Sequence, residues 1–202
     1  AENFKKVSFL EQKKMMFYYR LPEKFIFCVG DVNYNKNLSG LIRAFSQVRD
    51  KDLKLVLVGK AFENKSLPQV KELVQLIESL GLIKETKILG FVPDQDLAAF
   101  YNLATLLGYP SFYEGFGLPI LEAFACGCPV IASRAASLPE FSGQAALMVD
   151  PYDISKITQA IEKIISSQRL RRKLINNGFK QVKKFSWAKT AQEAIKVYEQ
   201  II

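Results

Sequence analysis

Residues Lys24 to Gly30 read KFIFCVG, and residues Leu53 to Gly59 read LKLVLVG. Each stretch is a short, nearly continuous apolar run that stops at a glycine, which is the pattern of a strand buried on both faces of a sheet. Between the two runs, apolar residues recur at helical spacing from Leu38 to Val48. A buried strand, a helix and a second buried strand in this order predict a parallel βαβ unit.

The same alternation continues along the chain. Four more short apolar runs follow, at Thr86–Leu89, Thr105–Tyr109, Val130–Ala132 and Ala146–Val149. Helical patterns lie between most of these runs, at residues 67–80, 94–103, 118–125 and 154–166. Together they predict an α/β domain over residues 24–167, with a doubly wound, six-stranded parallel Rossmann-like sheet.

The two ends of the chain differ from this pattern. Residues 1–23 carry scattered lysines and little periodicity, and they predict a linker that enters the domain. Residues 168–202 predict two C-terminal helices that pack on the flank of the domain. Trp187 is interpreted as the anchor of the last helix, with stacking on a substrate as the alternative.

Composition excludes several classes of protein. The chain has 202 residues, of which 49% are hydrophobic and 12% aromatic, so we expect a folded globular protein. No apolar run approaches the ~20 residues of a transmembrane helix, and the first residues do not resemble a signal peptide. Three cysteines favour a reducing compartment, so we expect the protein in the cytoplasm, with Cys126 and Cys128 as core thiols.

Missing residue types and motifs narrow the chemistry further. The sequence contains no histidine, which removes histidine-dependent nucleophile triads and most zinc sites. We therefore expect no metal site. The glycines after the first predicted strand do not form a dinucleotide fingerprint, and GxxxxGK[ST] is absent, so a dehydrogenase or a nucleoside triphosphatase is disfavoured.

Charge is concentrated near the C-terminus. The net charge is +8, and the segment from Arg169 to Lys189 contains eight basic residues and no acidic one. This segment predicts either the solvated face of a helix or a surface that meets anionic lipid, which would place the protein on the inner face of the membrane. No recognised nucleic-acid motif accompanies the charge, so we expect no nucleic-acid partner.

The stretch that carries chemistry is Pro110 to Val130, PSFYEGFGLPILEAFACGCPV. It follows the end of a predicted strand, where ligands bind in sheets of this kind. Gly115 and Gly117 let the backbone approach a ligand, and the first N–H groups of the following helix suit phosphate or sugar oxygens. This helix is apolar except for Glu122, so we expect it to be buried.

The position of Glu122 predicts what its carboxylate binds. It lies five residues after Gly117, which is about 7.5 Å along the helix axis. That offset fits a ribose whose diphosphate lies at the helix N-terminus, and Glu114 would then face the group beyond the phosphates. The alternative interpretation is that Glu114 is a turn residue and that Glu122 pairs with a cation in the core.

Glu114 and Glu122, with GFGLPIL between them, resemble the E-x7-E motif of retaining GT-B glycosyltransferases, known as glycosyl transferases group 1 or family 4. The resemblance extends through VGDVNYNKNLSGLIRAF, LVLVGK, LGFVPDQDLAAFY and SLPEFSGQAALMVDP to the terminal FSWAKTAQEAIKVYE. It covers nearly the whole chain from about residue 24. The resemblance implies one half of a GT-B fold, the donor-binding domain, whose partner is its own N-terminal domain.

The resemblance also implies roles for individual residues. Glu122 would bind the ribose hydroxyls, Glu114 the donor sugar near its reacting centre, and Lys36 the diphosphate, so Glu114 and Lys36 are the candidate catalytic residues. Lys60 would add a second cation. Backbone groups complete the candidate donor site, at Phe91, Val92, Gly115, Phe116, Gly117 and Leu118. Gly30 and Gly59 would let the chain pass close to the ligand at the ends of two strands. Phe112 and Tyr113 are candidates to flank the sugar.

One position departs from the family pattern. The family often has an arginine directly after the glycine of the first strand, and this sequence has Asp31. An acidic side chain would repel phosphate there, so Lys36 is expected to carry more of the charge at the diphosphate.

The resemblance implies a domain that serves transfer of a hexose from a nucleoside-diphosphate sugar to a saccharide or lipid-linked hydroxyl acceptor. The transfer would proceed with retention and without a metal or other cofactor. Two other classes of protein stay open on the sequence alone. One is a non-catalytic module that binds nucleotide sugars, and the other is a GT-B nucleotide-sugar epimerase.

Overall fold

The computed structural model describes residues 4–200, and an α/β sheet organises them. All six strands form one parallel sheet in the order β3-β2-β1-β4-β5-β6. The strands are β1 Phe25–Val29, β2 Lys54–Val58, β3 Thr86–Leu89, β4 Leu106–Tyr109, β5 Val130–Ser133 and β6 Ala146–Val149. The order reverses between β1 and β4, so the doubly wound Rossmann-like sheet predicted from the sequence is confirmed.

Helices cover both faces of the sheet. They are α1 Phe9–Tyr18, α2 Leu38–Ser46, α3 Pro68–Ser79, α4 Asp94–Leu103, α5 Leu118–Cys126, α6 Leu138–Ser142, α7 Ile154–Ser166, α8 Gln168–Val182 and α9 Trp187–Glu199. Two short 3₁₀ turns, Tyr34–Lys36 and Lys60–Glu63, follow β1 and β2. Thus every strand that the sequence predicts is present, as are the helices predicted over residues 67–80, 94–103, 118–125 and 154–166.

Two hydrophobic cores lie on opposite faces of the sheet. One packs apolar side chains of α2, α3 and α7 against the strands, and the other packs α4, α5 and α6. The alternating side chains of β1 show the division, since Ile26 belongs to the first core and Phe27 to the second. Both are fully buried, as expected for a central strand covered on both sides.

Helix α5 is buried on most of its surface, as its apolar sequence predicts. Ile120, Ala123 and Phe124 are fully or almost fully buried, and Gly178 of α8 lies against Phe124. Glu122 is only partly buried, because it lies on the side of α5 that faces a surface groove. The helix ends at Gly127 in the left-handed conformation, with φ 73°.

The segment predicted as a linker, residues 1–23, contains a helix that the sequence pattern does not indicate. Helix α1 begins after Ser8, whose side chain accepts a hydrogen bond from the N–H of Glu11. Just beyond α1, the hydroxyl of Tyr19 donates to Asp96 of α4 at 2.6 Å. Helix α1 buries none of its side chains, so its sequence lacks the apolar periodicity that signals a helix. Residues 1–3 lie outside the described residues.

The two predicted C-terminal helices are present, but only the first packs on the domain. Helix α8 packs against α5 and buries Leu174. Helix α9 buries none of its residues, so the expectation that it packs on the flank is wrong. Trp187 is 65% exposed, so it is not buried as a core anchor would be, and it lines the groove beside Glu122. No helix within residues 4–200 is long and apolar enough to cross a membrane.

Candidate functional site

The candidate site lies at the carboxyl edge of the sheet, where β1 and β4 are neighbours. The chain leaves β1 at Val29 and forms the 3₁₀ turn that ends with Lys36. It leaves β4 at Tyr109 and reaches Glu114 before α5 begins. Because the two strands are parallel and adjacent, both loops emerge side by side at the point where the strand order reverses.

Lys36 and Glu114 are in direct contact. The Lys36 Nζ donates to Glu114 Oε1 at 2.8 Å and to the hydroxyl oxygen of Tyr109 at 2.6 Å. The side chains of the ion pair are only 16% and 15% exposed, so the pair is largely removed from water. Burial and the adjacent Glu114 carboxylate raise the pKa of Tyr109, which therefore stays a neutral phenol. The structure thus brings together the two residues predicted as catalytic.

Asn37 fixes the loops that carry this pair. Its backbone is left-handed, with φ 50°, and its amide is almost completely buried. The Nδ2 group donates to the carbonyl oxygens of Pro110 at 3.0 Å and Pro151 at 2.7 Å, while Oδ1 accepts from the N–H of Gly40. One side chain therefore joins the loops after β1, β4 and β6 and caps α2.

The start of α5 presents backbone N–H groups toward the same edge. Gly117 precedes the helix with φ 90°, and a Cβ there would lie 2.8 Å from Leu138, so only glycine fits. No side chain among residues 4–200 caps this helix start. Pro119 is at the second helical position, where it has no N–H to leave unsatisfied. The N-terminus of α5 is thus suited to bind an anion.

Other parts of the glycine-bearing loop are held from outside. The Ser137 hydroxyl donates to the carbonyl oxygen of Glu114 at 2.9 Å, which fixes the backbone beside the ion pair. The ring of Phe116 stacks on Phe141 with centroids 4.9 Å apart, while Gly115 is exposed with open space at its Cβ position. Leu118, the first residue of α5, is 45% exposed and lines the groove beside Glu122.

Glu122 faces a groove of about 280 Å³. Its Oε2 accepts a hydrogen bond of 2.7 Å from the hydroxyl of Tyr101, whose own side chain is fully buried. Burial raises the pKa of the Glu122 carboxyl, with Asp94 adding to the effect and the Tyr101 hydroxyl opposing it. The ion pairs found within residues 4–200 do not include Glu122, which does not support the alternative of a core cation as its partner.

The glycines at the ends of β1 and β2 have a different reason from the predicted one. A Cβ on Gly59 would lie 2.1 Å from the carbonyl oxygen of Gly30, so Gly59 is required for the close approach of the two strand ends. Gly30 has φ +139°, and a Cβ there would lie 3.1 Å from Cε of Lys36. These glycines make room for the protein's own backbone and for Lys36, rather than directly for a ligand.

The remaining predicted residues lie farther along the same edge. The N–H of Phe91 donates to Glu63 at 2.9 Å, so this N–H is already used within the protein. The Phe91 side chain is 62% exposed and Val92 is buried in the core. Lys60 and Asp31 are exposed, Lys60 at the start of the second 3₁₀ turn and Asp31 directly after Gly30.

Three residues at the site were not predicted. Tyr109 bonds to Lys36, Tyr101 bonds to Glu122, and Asn37 joins three loops. The position of Tyr109 at the end of a predicted strand was a usable signal, because ligands bind at that edge. The roles of Tyr101 and Asn37 depend on contacts across 21 and 114 residues of sequence, which no local pattern reveals.

The basic segment lies mainly on α8 and the turn that follows it. Most of its side chains are exposed, but Arg171 donates to the carbonyl oxygens of Ile164 and Ile165, each at 2.7 Å. Arg171 therefore satisfies the end of α7, which is a structural role. Cys28, Cys126 and Cys128 are buried free thiols, as expected for the last two.

Comparisons with known proteins agree with this geometry. The sequence profile of a family described as Glycosyl transferases group 1 matches residues 11–181. The serotype-specific mannosyltransferase WbdA of Escherichia coli is 36% identical over 188 residues, which are 91% of this chain and 23% of that protein. O-antigen chain mannosyltransferase B of Escherichia coli is 36% identical over 172 residues, which are 85% of this chain and 44% of that protein. The chain thus spans less than half the length of either relative.

A solved structure of similar size comes from a protein of the same family. The C-terminal domain of a glycosyl transferase group 1 family protein, LpcC, from Francisella tularensis is 27% identical. It superimposes with a TM-score of 0.75 over 91% of this chain and 95% of that one. The matched profile covers most of the sheet and the site loops, so this chain belongs to the glycosyl transferases group 1 family.

Proposed function

We propose that this chain is the donor-binding domain of a retaining glycosyltransferase, which transfers a hexose from a nucleoside-diphosphate sugar to a hydroxyl of a saccharide or lipid-linked acceptor. The observation that carries the proposal is the contact of Lys36 with Glu114 beside the uncapped start of α5. A cation, a carboxylate and a set of free backbone N–H groups meet there at the carboxyl edge of the sheet.

In this proposal the diphosphate lies between Lys36 and the start of α5. An ammonium group has three N–H donors, and Tyr109 and Glu114 accept from two of them. The third can donate to a phosphate oxygen without breaking either contact. The α5 N–H groups supply the opposite side of the anion site, and their partial positive charge adds to that of Lys36.

The ribose lies one to two turns along α5, against Glu122. Tyr101 holds Oε2 of Glu122, and this contact directs the other carboxylate oxygen toward the ribose hydroxyls. Burial disfavours the ionised carboxylate, so two hydroxyl donors from a ligand would stabilise it. The base then extends toward the backbone at Phe91 and Val92, where the exposed ring of Phe91 is available for contact.

The sugar lies beyond the phosphates, against Glu114 and the backbone from Gly115 to Gly117. As the bond to the phosphate breaks, negative charge grows on the leaving oxygen, where Lys36 and the α5 N–H groups stabilise it without a metal or other cofactor. Glu114 bears its negative charge beside the sugar carbon that becomes electron-deficient. The acceptor hydroxyl attacks from the face that the phosphate leaves, so the configuration is retained.

Two features support a hexose donor and a second domain. Both relatives compared above are named mannosyltransferases, and each is more than twice as long as the part that matches this chain. Ligands bind at the edge of such sheets, so a second domain facing this edge would supply the acceptor side of a cleft. The donor is a nucleotide sugar, and the acceptor is the substrate that the second domain presents.

Calorimetric titration of the 202-residue chain with GDP, UDP and ADP tests the donor assignment. We expect one diphosphate to bind and Glu122→Ala to weaken that binding by about 1–3 kcal/mol, since a charged hydrogen-bond partner is lost. Glu140→Ala, which removes an exposed carboxylate on α6, is the control and should leave the affinity unchanged. Failure of all three diphosphates to bind the folded chain would contradict the proposal.

A further inference from the structure

Three aromatic rings from three different loops form a row at the carboxyl edge of the sheet. The ring centroids of Tyr34 and Phe112 are 5.0 Å apart with an interplanar angle of 30°, and those of Phe112 and Tyr152 are 4.7 Å apart with an angle of 24°. We call these three residues the aromatic row. Tyr34 follows β1, Phe112 follows β4 and Tyr152 follows β6.

The outer rings of the aromatic row are open to solvent. Tyr34 is 78% exposed and Tyr152 is 73% exposed, while Phe112 is partly buried between them. Each outer ring therefore contacts the row through one face and leaves much of its other surface free. Large aromatic surfaces grouped together outside the core are typical of binding sites rather than of folding contacts.

The loops that present the row are held in place. Asn37 joins the loops after β1, β4 and β6 through its bonds to Pro110 and Pro151. The N–H of Phe112 donates to the carbonyl oxygen of Asn35 at 2.7 Å, which ties the loop of the central ring to the loop of Tyr34. The rings are thus preorganised, so the loops would lose little conformational entropy when a ligand binds.

The groups around the row are polar. Asn33, Asn35 and Asp150 are exposed in the same loops, and both outer rings carry hydroxyl groups. A saccharide presents C–H groups on the faces of its rings and hydroxyl groups around their rims. Aromatic faces suit the C–H groups, and amide, carboxylate and phenol groups suit the hydroxyls.

The row also has a defined place relative to the donor. Tyr34 and Tyr152 lie just before α2 and α7, which cover one face of the sheet, whereas Glu122 lies on α5, which covers the other. The Lys36–Glu114 pair joins the same two loops as the contact between Tyr34 and Phe112. A donor that extends from Glu122 to Glu114 therefore points its sugar toward the row.

We propose that the aromatic row binds the neutral saccharide chain of the acceptor, next to the sugar that is transferred. This proposal rests on the function proposed above, because it takes the donor to run from Glu122 to Glu114. It assigns part of the acceptor site to the donor-binding domain itself. The ligand class is an uncharged oligosaccharide of hexoses, held by ring stacking and by hydroxyl contacts to the flanking loops.

The test is an NMR titration of the ¹⁵N-labelled 202-residue chain with α-linked mannotriose and with mannose. We expect saturable shifts in the three loops that carry the row, and weaker binding of the monosaccharide. Tyr34→Ala and Tyr152→Ala should each weaken binding of mannotriose about threefold to tenfold, the value of one aromatic contact. Tyr34→Phe and Tyr152→Phe keep the rings and should retain most of the affinity.

Controls separate the row from other surfaces and from the donor site. Phe17→Ala removes a ring of α1 that is 87% exposed, and it should not affect saccharide binding. The Tyr152→Ala chain should bind the nucleoside diphosphate as tightly as the unchanged chain, within about twofold, since no donor contact is assigned to that ring. Diphosphate binding without any saccharide shift overturns the row alone, whereas loss of both overturns the proposed function as well.

Two further results would also overturn the assignment. One is saccharide binding that persists unchanged when both tyrosines are replaced by alanine. The other is concentration-dependent shifts of the three loops in the absence of saccharide, because these would show that a second copy of the chain covers the row.

Discussion

At the scale of single residues, Glu122 combines a structural cost with a proposed binding role. Its carboxyl is partly buried on α5, and burial raises its pKa above the ordinary value. The folded protein therefore holds a proton at this site more tightly than the unfolded chain does. At a pH above the pKa of Glu122 in the folded protein, the ionised carboxylate destabilises the fold. This destabilisation disappears as the pH falls toward the pKa of a glutamate in the unfolded chain, about 4.3.

Glu122→Gln should therefore stabilise the protein while it weakens nucleotide binding. Glutamine keeps an oxygen that accepts from the Tyr101 hydroxyl, and it removes the desolvated charge. We expect a higher midpoint of urea unfolding at pH 8 and a difference that shrinks as the pH approaches 4.5. Glu140→Gln, on the surface of α6, is the matched control and should show little change. A variant less stable than the unchanged chain at pH 8 would contradict this interpretation.

At the scale of elements, the loops of the site depend on one buried amide. Aspartate at position 37 also tolerates the left-handed backbone, and the Asn37→Asp variant keeps an oxygen that accepts from the N–H of Gly40. The substitution replaces the Nδ2 group, which donates to the carbonyl oxygens of Pro110 and Pro151, by an oxygen that cannot donate. We expect a loss of about 1–3 kcal/mol in the free energy of unfolding, because two buried carbonyls lose their partner. Urea unfolding measures this change.

Asn33→Asp is the matched control for this prediction. Asn33 also accepts a hydrogen bond at the start of a turn, from the N–H of Lys36, but its side chain is exposed. Aspartate caps such a turn as well as asparagine does, so the control should change stability by less than about 0.5 kcal/mol. Equal effects of the two substitutions would show that Asn37 acts as a turn cap and does not join the loops.

The elements differ in how far the sequence predicts them. The strands and α5 were predictable because buried apolar runs and a helix apolar on nearly every side leave strong local signals. Helix α1 was missed because it buries no side chain, and the exposure of α9 was missed because its apolar residues suggest a core that they do not contact. Such residues reveal where a helix forms but not whether it packs.

The site shows the same limit. Glu122 and Glu114 were predicted from the apolar helix and the glycine-bearing loop before it, and the resemblance to a family motif supports both. Lys36 was identified from that resemblance alone. The contact between Lys36 and Glu114 crosses 78 residues of sequence, and no local pattern indicates it. Gly59 was assigned to close approach of a ligand, whereas the structure shows that it makes room for the carbonyl of Gly30. Partners that the fold brings together require the three-dimensional structure.

At the scale of the whole molecule, the sheet sets the direction of the proposed ligand. Glu122 and α5 belong to one face of the sheet, and Tyr34 and Tyr152 of the aromatic row precede helices that cover the other face. Lys36 lies where the strand order reverses. The donor would therefore cross the carboxyl edge with its diphosphate at the centre. Lys36 and the start of α5 would hold this diphosphate from its two sides.

Replacing Lys36 also leaves Glu114 without its ion-pair partner. The variants must therefore separate the loss of the cation from the repulsion by the unpaired carboxylate. Lys36→Ala removes the cation, and the remaining carboxylate would repel a diphosphate. The double variant Lys36→Ala with Glu114→Gln removes both charges and isolates the loss of the cation. Lys60→Ala, at an exposed lysine on the next loop along the edge, is the control for a general loss of positive charge.

Calorimetric titration tests this contact. The unchanged chain, the two Lys36 variants and the Lys60→Ala control are each titrated with the preferred nucleoside diphosphate and, separately, with the nucleoside that lacks the phosphates. Both Lys36 variants should bind the diphosphate at least about tenfold more weakly than the unchanged chain does. Their affinity for the nucleoside should stay within about twofold of that of the unchanged chain, because only the diphosphate carries negative charge that Lys36 can contact. Equal weakening of diphosphate and nucleoside binding would contradict a contact between Lys36 and the diphosphate, and it would show that Lys36 only maintains the structure of the loop.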